Sequence, residues 1–470
     1  MSDLTTAALN RAEHLLAQGQ YKEALEIVKD VEKGELALTS TDHFTCFLLK
    51  STLLNRLGLF KDAFKIAEQI YQESQKLGAS LYMINSLIIL TESLWRLGRF
   101  DEAWNMIRQG ESIVESLNPS SDTSQKKSAL TFYKGAICQN KGEFDQALTY
   151  YQQSLDFLKD LNHNEDIARS LGNMGVAYWN KGELNQALKY LEQSLALRKA
   201  LGNKQEIARS LNNIGIIYYQ KGNLDRASEF FQQALSYFEE SGNKQLIASC
   251  LNNIGGICHR QGNLNQALNH FKQCLAIRKK IGNKQEIAWS LNNISGIYRL
   301  KGNLNQALEY AQQTLELYEE FGNKQEIAST LYIIGGIYRQ KGKLDQALES
   351  LQRSLDFREK IGNKIDVSWS LNYIGLIYWD KGDLDQALGY FQQSLTLREE
   401  SGNNLERADS LFSLICVILD IISQEKISGL LEKNYLDRAL TYLNQLKIIE
   451  QKEANKKVSQ QYRLAKALML

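Results

Sequence analysis

Cys258, His259, His270 and Cys274 lie close together in the chain, and thiolate and imidazole are ordinary zinc ligands, so metal chemistry is sought there first. Against it, Cys258 stands in the row that Tyr178, Tyr218 and Tyr298 fill at multiples of 40 residues, and Cys274 in the row of Ser194 and Ala234. Rows of small or apolar side chains belong to a packed interior, so these cysteines are expected as buried free thiols, with no metal and no cofactor. The remaining cysteines, Cys46, Cys138, Cys250 and Cys416, form no CxxC pair, which fits reduced thiols in a cytoplasmic setting. GxxxxGK[ST], GxGxxG, HExxH and GxSxG are all absent. Catalysis has no visible anchor, and no enzyme is expected.

Polar rows carry more information. Asn173, Asn213, Asn253 and Asn293 recur with a step of 40, accompanied by Asn212, Asn252, Asn292 and Asn372. A primary amide both donates and accepts, so a ladder of them could hold a peptide backbone with little regard to its side chains. The alternative is that the amides bond one another or adjacent backbone. One neighbouring row reads Arg169, Arg209, Ser249, Trp289, Ser329, Trp369, and another Trp179, Tyr219, His259, Arg299, Arg339, Trp379. Trp, Tyr and Arg are the residues that most often dominate binding energy. Arg209, Arg299 and Arg339 have no carboxylate on these rows except Asp380, which predicts an acidic partner segment. Aromatics with arginine also suit single-stranded nucleic acid. Yet 55 basic and 54 acidic residues leave a net charge of +1 with no continuous basic stripe, so no nucleic-acid partner is expected. Arg198, Arg278, Arg358 and Arg398 are expected as exposed ion-pair members of small energetic weight.

The elements that must position these rows follow from the repeat. GNKQEIA begins at Gly202, Gly282 and Gly322, GNKQLIA at Gly242 and GNKIDVS at Gly362. An alanine recurs in step at Ala147, Ala187, Ala227, Ala267, Ala307, Ala347 and Ala387, which marks seven regular units over residues 128–407. Ala24, Ala63 and Ala103 mark three divergent units within 1–127, and Ala439 a degenerate one over 408–450. The longer steps predict an inserted loop at NPSSDTSQ, around Pro119, and another insertion at 424–434. Residues 451–470 read as a capping helix, with Val458, Leu464, Leu468 and Leu470 covering the end of the stack.

Within one unit, Ile207, Leu211, Ile214 and Tyr218 recur at helical spacing, Lys221-Gly222 interrupts, and Leu224, Ala227, Phe231, Leu235 and Phe238 start a second helix. Each unit is a helical hairpin. The first helix is apolar on two sides and is read as the inner one, so its polar rows line the groove, mainly over residues 168–380. A single proline, Pro119, leaves nearly every segment free to be helical. Asn203 with Glu206 reads as a capping box. The longest apolar stretch, residues 411–422, is too short to span a bilayer, and the first residues lack a targeting pattern, so no membrane partner is expected.

Leu211-x-x-Ile214-Gly215-x-x-Tyr218 followed by Ala227-x-x-x-Phe231 resembles the tetratricopeptide signature. A HEAT-type repeat has an overlapping period but lacks this Gly and Ala pattern. The 40-residue length, against the usual 34, and Gly-Asn in place of the closing proline resemble the elongated subclass, similar to repeats of kinesin light chains, spindle-orientation adaptors and bacterial peptide-responsive regulators. The resemblance implies an all-α, right-handed superhelical solenoid of about eleven hairpins plus a capping helix. It implies a scaffold or adaptor that grips an extended or helical protein segment. The alternative is a peptide- or metabolite-responsive sensor.

Overall fold

The computed structural model describes residues 2–33, 39–159, 161–424, 429–453 and 455–469, and all regular structure among them is α-helical. The chain forms two compact units, Met1–Gln261 and Gly262–Leu470. The first contains α1 (Ser2–Ala17), α2 (Tyr21–Lys33), α3 (Ser40–Arg56), α4 (Phe60–Lys76), α5 (Ser80–Arg96), α6 (Phe100–Glu115), α7 (Ser121–Asn140), α8 (Phe144–Leu158), α9 (Asn164–Asn180), α10 (Leu184–Leu201), α11 (Lys204–Gln220), α12 (Leu224–Ser241) and α13 (Lys244–Arg260). The second contains α14 (Leu264–Ile281), α15 (Lys284–Leu300), α16 (Leu304–Phe321), α17 (Lys324–Gln340), α18 (Leu344–Ile361), α19 (Lys364–Asp380), α20 (Leu384–Ser401), α21 (Asn404–Gln424), α22 (Leu430–Lys452) and α23 (Lys456–Leu468).

Local chemistry sets these boundaries. Asn203, Asn283 and Asn323 each accept a hydrogen bond from the backbone N–H three residues on, at 3.1 to 3.3 Å, and so start α11, α15 and α17. Only half of the expected capping box forms at Asn203, because the Glu206 carboxylate turns to Arg198 at 3.0 Å. Gly242 closes α12 in the left-handed region at φ 65°, where a side chain would be strained.

Packing follows the alanine row. Ala24, Ala63, Ala103, Ala147, Ala187, Ala227, Ala267, Ala307, Ala347, Ala387 and Ala439 are all wholly buried, as small residues at close helix packing are. In α11 a Cβ on Gly215 would lie 2.8 Å from the Phe231 ring, which is why this position carries none. Burying a ring such as Phe231 contributes about 1.5–3 kcal/mol, repeated along the array. In the first unit each odd-numbered helix touches the next odd-numbered one as well as its even-numbered neighbours, so the odd helices form the inner layer. In the second unit, side chains of α17, α19 and α21 meet in the same order.

Two sequence expectations need correction. NPSSDTSQ is mostly not a loop: Ser120 and Thr123 cap each other and residues 121–125 start α7, so the extra length lengthens a helix. In α23 Val458 and Ala465 are buried, while Leu464 and Leu468 are exposed, because the seven-residue step from Val458 selects Ala465. Leu470 lies outside the described residues. The insertion before Ala439 lies partly outside them too, with α21 extending to Gln424 on its near side.

The turn between α1 and α2 reaches far along the first unit. A Cβ on Gly19, whose φ is 80°, would lie 2.8 Å from Asn203 Oδ1 and 3.4 Å from Gln205 Cβ. Tyr21, itself buried, shares a hydrogen bond with Asn203.

Candidate functional site

The asparagine ladder is half-buried throughout. Asn253 Nδ2 donates to Asn212 Oδ1 at 3.2 Å, and Asn173 Nδ2 donates to the Arg169 carbonyl at 3.0 Å. Asn213 and Asn292 sit beside them with the same partial exposure, and Asn252 and Asn293 also engage neighbouring groups. Asn372 differs: its Oδ1 is buried and accepts no hydrogen bond among the described residues. The ladder therefore contains both kinds of amide weighed from the sequence, some bonded within the protein and one with an open acceptor.

The row ending at Trp379 is a handshake between successive inner helices. Trp179 Nε1 donates to Gln220 Oε1 at 2.7 Å, and Trp379 Nε1 to Asp420 Oδ2 at 2.7 Å. Arg260 donates to the Tyr219 carbonyl at 3.1 Å, its guanidinium 4.5 Å from the centre of that ring. Arg339 takes the Asp380 carboxylate in a fork at 2.5 and 3.1 Å. That bond, ahead of the cost of burial, holds its guanidinium still more firmly protonated. Each pair is 41 residues apart, one repeat plus one residue. His259 is exposed, and Arg299 makes no ion pair among the described residues.

The other row is more open. Trp289 keeps 45% and Trp369 37% of its surface, on equivalent positions of α15 and α19 in the second unit. In the first unit Arg169 lies 4.6 Å over the Phe132 ring and pairs with Asp166 at 2.6 Å, while Arg209 reaches Glu206 at 3.5 Å. Two of the three arginines expected to be unpaired, Arg209 and Arg339, therefore have carboxylates. The rows carry Asp380 but not its pairing with Arg339, because it belongs to the following hairpin, and they leave out Glu206, which lies on a different face position.

A larger correction concerns the outer helices. Arg278, Arg358 and Arg398 are not surface residues; they keep 6%, 3% and 4% of their surface. Each spans from an outer helix to the next inner one. Arg198, Arg278, Arg358 and Arg398 Nη1 donate to the carbonyls of Glu206, Glu286, Asp366 and Glu406 at 2.6 to 3.2 Å. The same atoms donate to Ser210, Ser290, Ser370 and Ser410 Oγ at 2.7 to 3.0 Å. A signal for this was present: where the outer position is Phe238 or Tyr318 instead of Arg, the inner one is Cys250 or Thr330 instead of Ser.

Cys258 and Cys274 are buried, and among the described residues no group of three His, Cys, Asp or Glu could hold a metal ion. Burial pushes the Cys250 thiol up to about 12. No helix among the described residues is long and apolar enough to cross a membrane.

A tetratricopeptide-repeat model matches overlapping windows that run from residue 128 to 400, and a second model of the same description matches 5–29. No curated protein sequence matches. Among solved structures, the chain is similar to the apo form of the quorum sensor NprR from B. thuringiensis, at 13% identity and TM-score 0.59, covering 76% of this chain and 99% of that one. It is similar to aspartyl phosphate phosphatase F from Bacillus subtilis at 16% identity and TM-score 0.50, covering 78% and 96%. A putative Podospora anserina kinesin light chain with nearly identical TPR-like repeats shares 16% identity at TM-score 0.39, covering 43% and 100%. With eleven buried alanines in register, the Gly215 and Phe231 contact repeated at Gly375 and Phe391, and a family model matched along more than half its length, the chain belongs to the tetratricopeptide-repeat family as an all-α solenoid of helical hairpins.

Proposed function

We propose that this protein is a non-catalytic scaffold or adaptor that grips an extended or helical segment of a partner protein on the inner face of its hairpins. The observation that carries the reading is the pair Trp289 and Trp369, large aromatic surfaces left open two repeats apart on the inner helices of the second unit. Each indole leaves more than a third of its surface open on that face, although Trp369 also lies 6.0 Å from the Arg358 guanidinium, and such residues are frequent binding anchors. Arg299 supplies a cation on the same unit, which supports a preference for acidic segments. A peptide array probed with the native chain and with the Trp289→Ala, Trp369→Ala double variant tests this. Loss of about 2 kcal/mol or more of affinity is expected at unchanged melting temperature. Equal binding of every captured peptide would remove the inner face of this unit as the site.

A second reading, a peptide- or metabolite-responsive regulator, rests on the contact of Gly19 and Tyr21 with Asn203, which gives the first unit a junction that a ligand could make or break. The likeness to NprR, described as a quorum sensor, extends to the fold. A change in small-angle scattering on adding a captured peptide would favour regulation; an unchanged profile would favour a static scaffold.

A further inference from the structure

Asn203 and Gln205 are each 6% exposed, whereas Gln245, Gln285 and Gln325, in the same GNKQ phrase, are exposed. Identical local sequence with opposite burial means that the cover comes from elsewhere, and the turn bearing Gly19 and Tyr21 supplies it. The turn before α2 thereby reaches the start of α11 across the inner side of the first unit.

Charged groups from separate hairpins converge there. Tyr133, 2% exposed on α7, is the hub: its ring lies 6.0 Å from that of Trp95, and its hydroxyl bonds Glu92. It lies within electrostatic reach of Arg56, Arg96 and Arg169. Arg56 pairs with Glu92 at 3.4 Å, Arg169 with Asp166 at 2.6 Å, and Arg198 and Arg209 share Glu206 at 3.0 and 3.5 Å. Although burial pushes Glu206 upward, Arg198, Arg209, Arg56 and Arg96 together hold its carboxyl below the usual range.

Five guanidinium groups therefore face four carboxylates, the ion-paired Glu92, Asp166 and Glu206 and, within electrostatic reach of Arg198, Glu165. Arg96 is exposed, has no ion pair among the described residues and stacks 4.2 Å from the Trp95 ring centre. Two donors, Trp95 Nε1 and Arg169 Nε, are buried with no acceptor among the described residues. A buried donor without an acceptor is costly, and a water molecule that satisfied it would leave the excess positive charge unneutralised.

We propose that the inner side of the first unit, around Tyr133, carries a binding site for an oxyanion, carboxylate or phosphate, received by the exposed Arg96 with Arg169 and the Trp95 indole N–H. It is separate from the inner face of the second unit and stands or falls independently of the function proposed there. The chemistry recognised is a planar or tetrahedral array of acceptor oxygens, which guanidinium groups bind in a fork.

The test is isothermal titration of the full chain with two probes, sodium pyrophosphate and a hexaglutamate peptide. Saturable binding of at least one at a single site is expected, and which probe binds tells free phosphate from a carboxylate-bearing segment. Arg96→Gln, which breaks no ion pair, should weaken it at least tenfold, whereas the same charge change at exposed Arg463 should leave it unchanged. Glu206→Gln removes a competing carboxylate and should tighten binding severalfold, so the idea stays testable even if Arg96→Gln lowers the melting temperature. No saturable binding of either probe, equal affinity in Arg96→Gln, or equal loss at Arg463→Gln would overturn the site.

Discussion

Arg358 on α18 and Ser370 on α19 are joined by a 3.0 Å hydrogen bond that is buried between two consecutive hairpins. The guanidinium also bonds the Asp366 carbonyl at 2.8 Å and lies 4.8 Å over the Tyr332 ring, so one side chain staples an outer helix to the next inner one. Burial pulls the Arg358 pKa down, but its ordinary value is so high that the group stays charged at any physiological pH.

Arg358→Phe alone should therefore destabilise the protein by about 2–4 kcal/mol, because the Asp366 carbonyl and Ser370 hydroxyl lose a buried partner. Arg358→Phe with Ser370→Cys copies the pair that the chain itself uses at Phe238 and Cys250, and should lose less than the two single changes summed. Urea unfolding of the four proteins gives the coupling energy, and strict additivity would deny that the pair acts as a unit.

The alkaline limit of stability is also set inside the core. Burial pushes Cys250 up to about 12 from an ordinary 9.0, and Cys46, Cys138 and Cys416 up to about 11. Between pH 9 and 12 the native state holds protons that the unfolded chain has released, so stability falls as pH rises. The urea midpoint should be level up to about pH 9 and drop from there towards pH 12. A flat profile over that range would mean that these thiols are not enclosed.

Two glycines should respond to alanine with opposite signs. At Gly215 the new Cβ would meet the Phe231 ring at 2.8 Å, and overpacking should cost about 1–3 kcal/mol. At Gly296, mid-helix in α15 with nothing within 4 Å, alanine should stabilise by about 0.5–1 kcal/mol through its helix preference. Thermal melts of the two variants decide it, and a loss at Gly296 would indicate a neighbour that the geometry lacks.

Charge selection by the second unit should reside in Arg299 rather than in Arg339, which is already occupied by Asp380. Arg299→Ala should reduce capture of acidic peptides on an array by about 1–2 kcal/mol and spare neutral ones. Asp380→Asn should do the reverse, freeing Arg339 and strengthening acidic capture, with a stability loss under about 1 kcal/mol because the pair is partly exposed. Identical profiles for all three proteins would separate acid preference from these arginines.

The hairpin repeat was legible because its signal is local: helical spacing, a glycine stop and an asparagine start lie within 40 residues, and a small residue such as Gly175 against the Ala187 carbonyl fixes the crossing. Pro119 misled for a similar reason, since polar residues after it suggest a loop until Ser120 and Thr123 are seen capping each other. The arginine staples were hidden by chemistry, as a lone arginine near a helix end reads as solvated until the serine twelve residues on is counted with it. Asn203 under Gly19 could not be read at all. Its covering turn lies nearly two hundred residues away, and its own phrase is the same as that of its exposed counterparts.

The staples also say where such a gene can be cut. A duplication or deletion broken at the Gly-Asn turns would copy whole hairpins yet part Arg358 from Ser370, and could set an arginine against Cys250 or Thr330. A break at the Lys-Gly turns, between the inner and outer helices, keeps each arginine with its serine in one cassette. The inheritable module of this array is therefore offset by half a repeat from the hairpin that the eye picks out, and shuffled variants built on the two alternative boundaries should differ in how many of them fold.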